Sequence, residues 1–390
     1  MDGDASSRAV RDESTSRSAM RIVDIEAVVL RLRVVDVRRA DGTQDAFLVR
    51  VRTEDGLEGI GEADTSPYLA RTVVEMPASH AVARGLRELV LGQDARDIER
   101  LWRLLVRGSS YYGPGVALHA ISAIDMALWD LAGKAAGKPV HELLGGATVA
   151  DLPVYASEVM PETAEEVRAI AERAVAAGYR ALKLGWGPLG GGLGRDVELV
   201  SAARETLGPD RTLMIDGGQA YSVESAAALA RELAELGVYW LEEPLAPDDY
   251  EGYRRLTDVS PVKIAAGEAD STLAPFRALV ERGGVGVLQP DIARCGGFTV
   301  ARQIGALATE HGVEVVPHCF STGVLVAASL HFASTLAAPT FCEYSVADSP
   351  LAGGLVREPF ALREGRVAVP GGPGLGVDLD EELVDRLRYA

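Results

Sequence analysis

The chain has 390 residues, of which 47% are apolar and 25% are charged, and its formal net charge is −18 at pH 7. This composition is typical of a folded protein large enough for a barrel and a smaller domain, and the acidity argues against a nucleic-acid or anionic-membrane partner. Because no run of 18 apolar residues and no signal peptide are found, we expect a cytoplasmic protein.

The first part of the chain predicts a disordered leader and then an α+β domain. Residues 1–20 are rich in Asp, Ser and Arg and have little to bury, so we expect them to be disordered. The elements predicted after them are strands at 23–30 and 46–52, a turn at Asp55-Gly56, and helices over about 74–107 and 115–136. These elements indicate an α+β domain over residues 21–147.

From residue 148 to residue 360 the pattern changes, because short apolar strands alternate with helical stretches. The predicted strands lie near Val154, Ala181, Leu213, Trp240, Ile264, Val287, Val315 and Phe341. Eight strands at this spacing favour a closed parallel barrel over an open sheet, and so predict the α/β class. The alternation ends near residue 360, and we expect residues 361–390 to pack back on the first domain.

Three carboxylates follow three successive strands of the predicted barrel. Asp216 and Glu242 are 26 residues apart, as are Glu242 and Glu268, which is about the length of one strand, one helix and two loops. Because parallel strands share one face at their C-terminal ends, the three side chains can converge. Their repulsion is relieved by a cation, and oxygen ligands favour Mg²⁺ over zinc. Glu243 should face away from Glu242 and make a supporting contact or a salt bridge.

A single acid at a strand end is more often a helix N-cap than a metal ligand, so the prediction depends on the three acids being in register. The three cysteines have no CxxC spacing, and we expect them to be reduced, without a disulfide framework or a zinc site. They are Cys295, Cys319 and Cys342.

Polar side chains also follow the other predicted barrel strands. Lys183 lies on the second strand, Asp291 and His318 follow the sixth and seventh, and Glu343 ends the eighth. An aspartate beside a histidine fixes the imidazole tautomer and favours its protonated form, as a general base requires. A lone histidine is usually structural, and we interpret four others in this way: His119, His141, His311 and His331.

The glycine-rich stretch Gly185–Gly190 formally fits the GxGxxG pattern, but Pro188 and the absence of a dinucleotide-binding context argue for a loop instead. We expect Trp186 to form a wall of the active-site mouth. Gly185 offers no functional group and leaves a hole that would admit a larger group or water. The loops at 36–45 and 63–71 are candidates for lids over the barrel.

Taken together, these motifs resemble the enolase superfamily, and within it the mandelate racemase group, from about Met20 onward. The matching stretches are 123–130 with 143–146, 178–183, 215–219, 241–244, Gly267-Glu268, 289–291, Pro317-His318 and Glu343-Tyr344. The resemblance implies a capping domain, a modified TIM barrel of the (β/α)7β type and assembly as a homo-oligomer. It also implies one Mg²⁺ held by the three acids, a His318-Asp291 dyad as base, and Lys183 and Glu343 as groups that polarise or orient the substrate.

Two departures from the family pattern bear on the reaction. The usual Lys-x-Lys at the end of the second strand is Lys183-Leu184-Gly185 here, and Arg294 replaces a lysine common after the sixth strand. A racemase needs bases on both faces of the α-carbon, whereas one histidine suffices for syn-dehydration. We therefore expect a Mg²⁺-dependent dehydratase that acts on a sugar acid through an enediolate. The alternatives are a racemase or epimerase, and a metal-binding relative without turnover.

Overall fold

The computed structural model describes residues 20–113, 115–339 and 341–389. The predicted leader lies outside this range except for Met20, which is buried in the core instead of disordered. The N-terminal domain comprises the strands β1 (Ile22–Arg31), β2 (Asp45–Thr53) and β3 (Glu58–Ala63) and the helices α1 (Pro67–Glu75), α2 (Leu86–Val90), α3 (Ile98–Gly108), α4 (Val116–Ala136) and α5 (Val140–Leu143).

The three strands form an antiparallel sheet in the order β1-β2-β3, and α4 packs across β3. Gly61 makes this close approach possible, because a Cβ there would overlap the Ala123 carbonyl oxygen. By length and composition α4 is apolar enough to cross a membrane, but 83% of its most apolar window is buried within the fold. It is the core helix of this domain.

The prediction of a single helix over about 74–107 is wrong, since this stretch contains the end of α1 and the helices α2 and α3. The first break follows Met76, because Pro77 disfavours a helical conformation in the residue before it and has no backbone N–H. The second follows α2, where Gly92 adopts a φ of +76°.

The barrel contains eight parallel strands. They are β4 (Asp151–Val159), β5 (Ala181–Gly185), β6 (Thr212–Asp216), β7 (Val238–Glu242), β8 (Lys263–Ala266), β9 (Val287–Leu288), β10 (Glu314–Val315) and β11 (Cys342–Ser345). Neighbours in sequence pair from β4 to β10, and β11 returns to pair with β4.

Helices separate these strands. They are α6 (Ala164–Ala177), α7 (Leu193–Leu207), α8 (Val223–Glu235), α9 (Tyr250–Thr257), α10 (Leu273–Ala278), α11 (Gly297–His311) and α12 (Gly323–Ser334). Seven strand-helix units followed by an eighth strand make the (β/α)7β arrangement.

The chain ends in α13 (Pro350–Gly354), the hairpin of β12 (Leu362–Arg363) and β13 (Arg366–Ala368), and α14 (Glu381–Leu387). The hairpin adds to β4 in the antiparallel direction. Glu381 accepts hydrogen bonds from Arg50, and the Tyr389 N–H donates to Val29, so this segment contacts the N-terminal sheet.

The barrel interior consists of side chains at alternate strand positions. One ring, here called the apolar layer, contains Tyr155, Ala181, Met214, Trp240, Ala265, Val287 and Val316, with Phe341 packed against it. Two residues further along each strand lies a second ring, here called the polar layer, formed by Ser157, Lys183, Asp216, Glu242, Gly267, Gln289, His318 and Glu343. The period-two pleat thus places charged side chains directly above an apolar floor.

Buried polar contacts join the capping domain to the barrel. The Glu62 carboxylate at the end of β3 accepts hydrogen bonds from the Ser321 and Thr322 hydroxyls and from the Leu325 N–H. Burial raises the pKa of Glu62 to about 7, although these donors oppose the shift. The contact fixes the end of β3, and therefore the loop after it, against the mouth of the barrel.

Candidate active site

The three predicted metal ligands meet in one buried cluster. Oxygen atoms of Asp216, Glu242 and Glu268 all lie within 4.8 Å of one another. Glu242 accepts hydrogen bonds from Lys183 Nζ at 2.6 Å and from Trp240 Nε1 at 2.9 Å. Glu268 Oε2 is buried and has no hydrogen-bond partner among the described residues.

This donor set suits a hard divalent cation. Each side chain brings anionic oxygen, which is the ligand type that Mg²⁺ prefers. Burial and the mutual repulsion of the carboxylates raise the pKa of Asp216 well above its ordinary value. A cation at the cluster would remove this cost and would provide the missing partner of Glu268 Oε2.

Backbone strain accompanies the strand ends that carry the cluster. Trp186, Gln219 and Glu243 have φ values of +58°, +61° and +30°, which is unusual for residues with a side chain and costs on the order of 1–3 kcal/mol each. The Glu243 carboxylate accepts hydrogen bonds from Gln219 Nε2 at 2.8 Å and from the Gly267 N–H at 3.3 Å. Glu243 therefore ties the β6, β7 and β8 ends together through hydrogen bonds, as the first of its two expected roles requires.

His318 and Asp291 form a close buried pair. His318 Nδ1 donates to Asp291 Oδ2 at 2.7 Å, which leaves Nε2 free to exchange a proton. Burial opposes a charge on His318, but Glu268, Glu343 and the Asp291 hydrogen bond raise its pKa to about 10. Because His318 Nε2 is 3.4 Å from Glu268 Oε2, neutralisation of that carboxylate by a cation would lower the pKa toward the range of a general base.

Lys183 lies between two carboxylates. Its Nζ is 2.6 Å from Glu242 Oε1, 2.8 Å from Glu343 Oε1 and 3.9 Å from Asp216 Oδ2. Burial opposes its charge, but Glu242 and Glu343 raise the pKa of Lys183 well above the ordinary value. Burial would raise the pKa of Glu343, yet Lys183 and His318 lower it to about 2. Lys183 is therefore a fixed cation and Glu343 a fixed anion.

Asp64 and Arg294 reach the same site, although the sequence did not single them out as site residues. Arg294 Nη2 donates to Asp64 Oδ2 at 2.7 Å, and Arg294 Nε donates to the Asp64 carbonyl at 3.1 Å. Arg294 also lies 3.7 Å from Glu268 Oε1 and 3.9 Å from Asp291 Oδ2. The position of Asp64 directly after β3, inside a predicted lid, is the sequence signal that could have identified it.

These residues surround one cavity of about 360 Å³, within the size range of small-molecule sites. Lys183, Asp216, Glu268, His318 and Glu343 line it, whereas Glu242 and Asp291 are buried and are not among its described lining residues. Both predicted lid loops contribute, the first through Ala40, Asp41 and Gly42 and the second through Asp64. Beyond Ser66 the second stretch is not a loop, because α1 begins there.

Trp186 lines the cavity with 39% of its surface exposed, as a wall of the mouth would. The expectation that Gly185 leaves a hole is wrong. A Cβ at Gly185 would overlap the Asp216 Cβ and would lie 2.8 Å from its Cγ. The space beside Gly185 is thus filled by a candidate metal ligand, and a longer side chain there would displace Asp216.

Comparisons with known proteins cover almost the whole chain. The family described as mandelate racemase / muconate lactonizing enzyme, N-terminal domain, matches residues 23–145, and the family described as enolase C-terminal domain-like matches residues 166–383. The D-galactarolactone cycloisomerase of Agrobacterium fabrum is 32% identical over 87% of this chain and 90% of that protein. The L-rhamnonate dehydratase of Saccharopolyspora erythraea is 36% identical over 88% of this chain and 85% of that protein.

Solved structures agree with these matches. The crystal structure of a racemase from Streptomyces coelicolor with bound magnesium superposes with a TM-score of 0.84 at 32% identity, and the match covers 94% of this chain and all of that one.

Proposed function

The chain belongs to the enolase superfamily, with both domains of its mandelate racemase and muconate lactonizing enzyme group, and on this premise we propose that it eliminates a β-oxygen from a sugar acid. The first reaction we assign is dehydration. The observation that carries the proposal is the position of the His318-Asp291 pair beside the carboxylate cluster, in one cavity.

His318 is the group that moves the proton. Asp291 holds Nδ1, so Nε2 takes the α-proton of the substrate. The same imidazolium then gives this proton to the departing β-hydroxyl, which leaves as water. The enol that remains tautomerises to a 2-keto acid, so the substrate loses one molecule of water in total.

Lys183 and Glu343 shape the charge around the reacting carbon. The fixed cation of Lys183 stabilises negative charge that develops on the substrate carboxylate, and Glu343 holds Lys183 in place at 2.8 Å. Asp216, Glu242 and Glu268 would hold Mg²⁺, which when bound supplies a positive charge next to the substrate carboxylate.

A second candidate reaction is ring opening. If the β-oxygen belongs to a ring of the substrate, the same elimination cleaves the ring, and the product is an isomer formed without loss of water. The similarity to a cycloisomerase favours this candidate. Racemisation is less well supported, because Gly185 and its contact with Asp216 leave no room for the family's second lysine.

The test is a panel of aldonic, aldaric, lactone and anhydro-sugar acids incubated with the protein and Mg²⁺. Semicarbazide traps 2-keto acids, and proton NMR in D₂O follows the α-hydrogen. Keto acid with release of water supports dehydration, and an isomeric product supports ring opening. Exchange at the α-carbon without either product would support racemisation instead, and an inert panel would support the relative without turnover.

A further inference from the structure

The end of the cavity that faces away from Glu268 contains two more carboxylates. Asp41 belongs to the first lid, and Glu158 lies near the end of β4. In the order of the eight barrel strands, β4 stands four positions from β8, which places Glu158 across the barrel from Glu268. A substrate held by its carboxylate at the metal cluster would extend toward Asp41 and Glu158.

Both carboxylates are largely buried, and only one oxygen of each accepts a hydrogen bond from the described residues. Their side chains are 8% and 11% exposed. Asp41 Oδ1 accepts from the Thr43 N–H and hydroxyl, and Glu158 Oε1 accepts from the Val159 N–H. Asp41 Oδ2 and Glu158 Oε2 accept no hydrogen bond in the described part of the chain, so each acid keeps an acceptor for a ligand.

One arginine forms long ion pairs with both carboxylates, but it lies outside the cavity. Arg39 lies 3.6 Å from Asp41 Oδ2 and 3.9 Å from Glu158 Oε1, beyond hydrogen-bond distance, and its side chain is 54% exposed. It lines an adjoining outer chamber and not the cavity itself. Burial raises the pKa of Glu158, although the Val159 N–H and Arg39 lower it and only partly offset that increase.

The cations that do line the cavity already have anionic partners. Lys183 pairs with Glu343, Arg294 with Asp64, and His318 with Asp291. Six carboxylates line the cavity against these three cations, namely Asp41, Asp64, Glu158, Asp216, Glu268 and Glu343. Among the described lining residues, none offers a free positive charge to a second anionic group on the substrate.

Resting on the proposed function, we infer that this cavity selects sugar acids with one carboxylate, because Asp41 and Glu158 accept hydrogen bonds from distal hydroxyls and repel a distal carboxylate. Hydroxyl donors satisfy the two open acceptor oxygens, whereas a carboxylate has no proton to donate and adds like charge at short range. The substrate class is therefore the aldonates and neutral-ended ring forms such as lactone or anhydro acids. Aldarates, which carry a carboxylate at each end, are disfavoured.

The experiment compares acids that differ only at the distal carbon. Matched pairs are galactonate with galactarate, gluconate with glucarate, and mannonate with mannarate, each with the Mg²⁺-loaded protein. For every configuration that reacts, we expect kcat/KM of the aldonate to exceed that of the aldarate by about 100-fold. Equal or faster turnover of the aldarate would overturn the inference.

Two variants test whether Glu158 causes the preference for aldonates over aldarates. Glu158→Gln keeps size and an acceptor oxygen but removes the charge, and it should narrow the aldonate-to-aldarate ratio by about 10-fold. Glu162→Gln is the matched control, because Glu162 is 71% exposed and lines only the outer chamber; its ratio should stay at the wild-type value. An unchanged ratio in Glu158→Gln, or an equal change in Glu162→Gln, would contradict the assignment.

A binding measurement separates this inference from the proposed reaction. Calorimetric titration of the Mg²⁺-loaded His318→Asn variant with each acid gives Kd without turnover. Tighter binding of aldonates than of aldarates supports the inference even if the chemistry differs from elimination. If both classes bind equally, the inference fails while the proposed function stands. If neither binds and no α-proton is lost from any acid, both fail.

Discussion

The apolar layer and the polar layer of the barrel are built on the same eight strands, two residues apart, yet they have opposite chemistry. Both are buried: Met214 and Trp240 in the first and Glu242 and Glu343 in the second have 0% of their surface exposed. The first layer is neutral. In the second, Lys183 is held between carboxylates at 2.6 and 2.8 Å.

The difference shows that burial alone does not determine whether apolar or charged side chains occupy the barrel interior. A dense apolar ring is the lowest-cost filling of a barrel, whereas buried charges cost several kcal/mol each unless they are paired. The charged groups of the polar layer lie close to groups of opposite charge, but the Gln289 amide in the layer and Glu268 Oε2 next to it have no hydrogen-bond partner in the described structure. We interpret the apolar layer as the support and the polar layer as the part that binds and reacts.

One substitution in each layer, both after the same strand, separates the roles of the two layers. His318→Asn should lower kcat by about 10³-fold, because it removes the proposed base while the fold persists. Val316→Ala, two residues earlier, should lower the free energy of unfolding by about 1–3 kcal/mol and leave kcat near the wild-type value. Kinetics and chemical unfolding of both variants give the result. A comparable loss of kcat in both would mean that the layers are not functionally distinct.

Lys183→Met tests whether the polar layer depends on pairing. The variant leaves Glu242 and Glu343 buried without their cation, so the free energy of unfolding should fall by about 3–5 kcal/mol in the Mg²⁺-free protein. The two carboxylates would then have raised pKa values in the folded state, so the deficit should shrink as the pH falls. Met214→Leu in the apolar layer is the control and should cost less than about 1.5 kcal/mol. Similar losses in both variants would be evidence against the pairing.

Mg²⁺ should stabilise the protein through the polar layer. At a concentration 100 times its Kd, the ion should add about 2.7 kcal/mol to the free energy of unfolding. Asp216→Asn should abolish this increment, because Asp216 belongs to the carboxylate cluster. Asp196→Asn is the control, since Asp196 is buried but bonds to Tyr221 outside the cluster; it should retain the full increment. An increment that survives in Asp216→Asn would place the ion elsewhere.

Trp240 connects the two layers, because its ring lies in the apolar layer and its Nε1–H donates to Glu242 at 2.9 Å. Trp240→Phe keeps an aromatic ring but removes a hydrogen bond to a charged group, which should cost about 1.5–3 kcal/mol. The loss should become smaller when Mg²⁺ is bound, since the ion then partners Glu242. A loss that does not respond to Mg²⁺ would indicate a packing effect alone.

A buried histidine outside the polar layer should have a smaller effect, on how the free energy of unfolding depends on pH. His331 Nε2 donates to the Leu375 carbonyl and its Nδ1 accepts from His141, so no carboxylate faces it in these contacts. Burial lowers the pKa of His331 to about 4, whereas that of His318 is raised to about 10. Because the unfolded chain binds the proton near pH 6.5, His331 contributes stability that is present above that pH and is lost as the pH falls toward 4.

This effect has to be isolated from groups that act in the opposite direction, such as Glu62 with its raised pKa. The measure is the difference in the free energy of unfolding between wild type and His331→Gln. It should fall by about 1 kcal/mol between pH 7 and pH 5.5. A difference that is independent of pH would show that His331 does not titrate in this range.

The sequence was informative wherever the signal repeats along the chain. The eight strands, the equal spacing of Asp216, Glu242 and Glu268, and the resemblance to the superfamily depend on local periodicity and ordered motifs, and the fold class and the family are confirmed. The period-two pleat also put Lys183 and Gly185 on the same face, and both line the cavity.

Contacts between distant parts of the chain could not be predicted from such local patterns. Asp64 and Arg294 are separated by 230 residues, and only the folded lid brings them together. The contact of Gly185 with Asp216 depends on the separation of two strands, and not on either residue type. The dehydratase prediction was narrower than the similarities support, since a cycloisomerase is also among the relatives.

The fate of the α-hydrogen shows directly whether His318 removes the α-proton of a sugar acid. A reactive sugar acid incubated in D₂O with the protein should lose its α-proton signal in proton NMR when Mg²⁺ is present. The signal should persist when the ion is chelated, and also in His318→Asn with Mg²⁺. A product that retains the α-proton, or a loss of the α-proton that continues unchanged in His318→Asn, would contradict the role of His318 as the base.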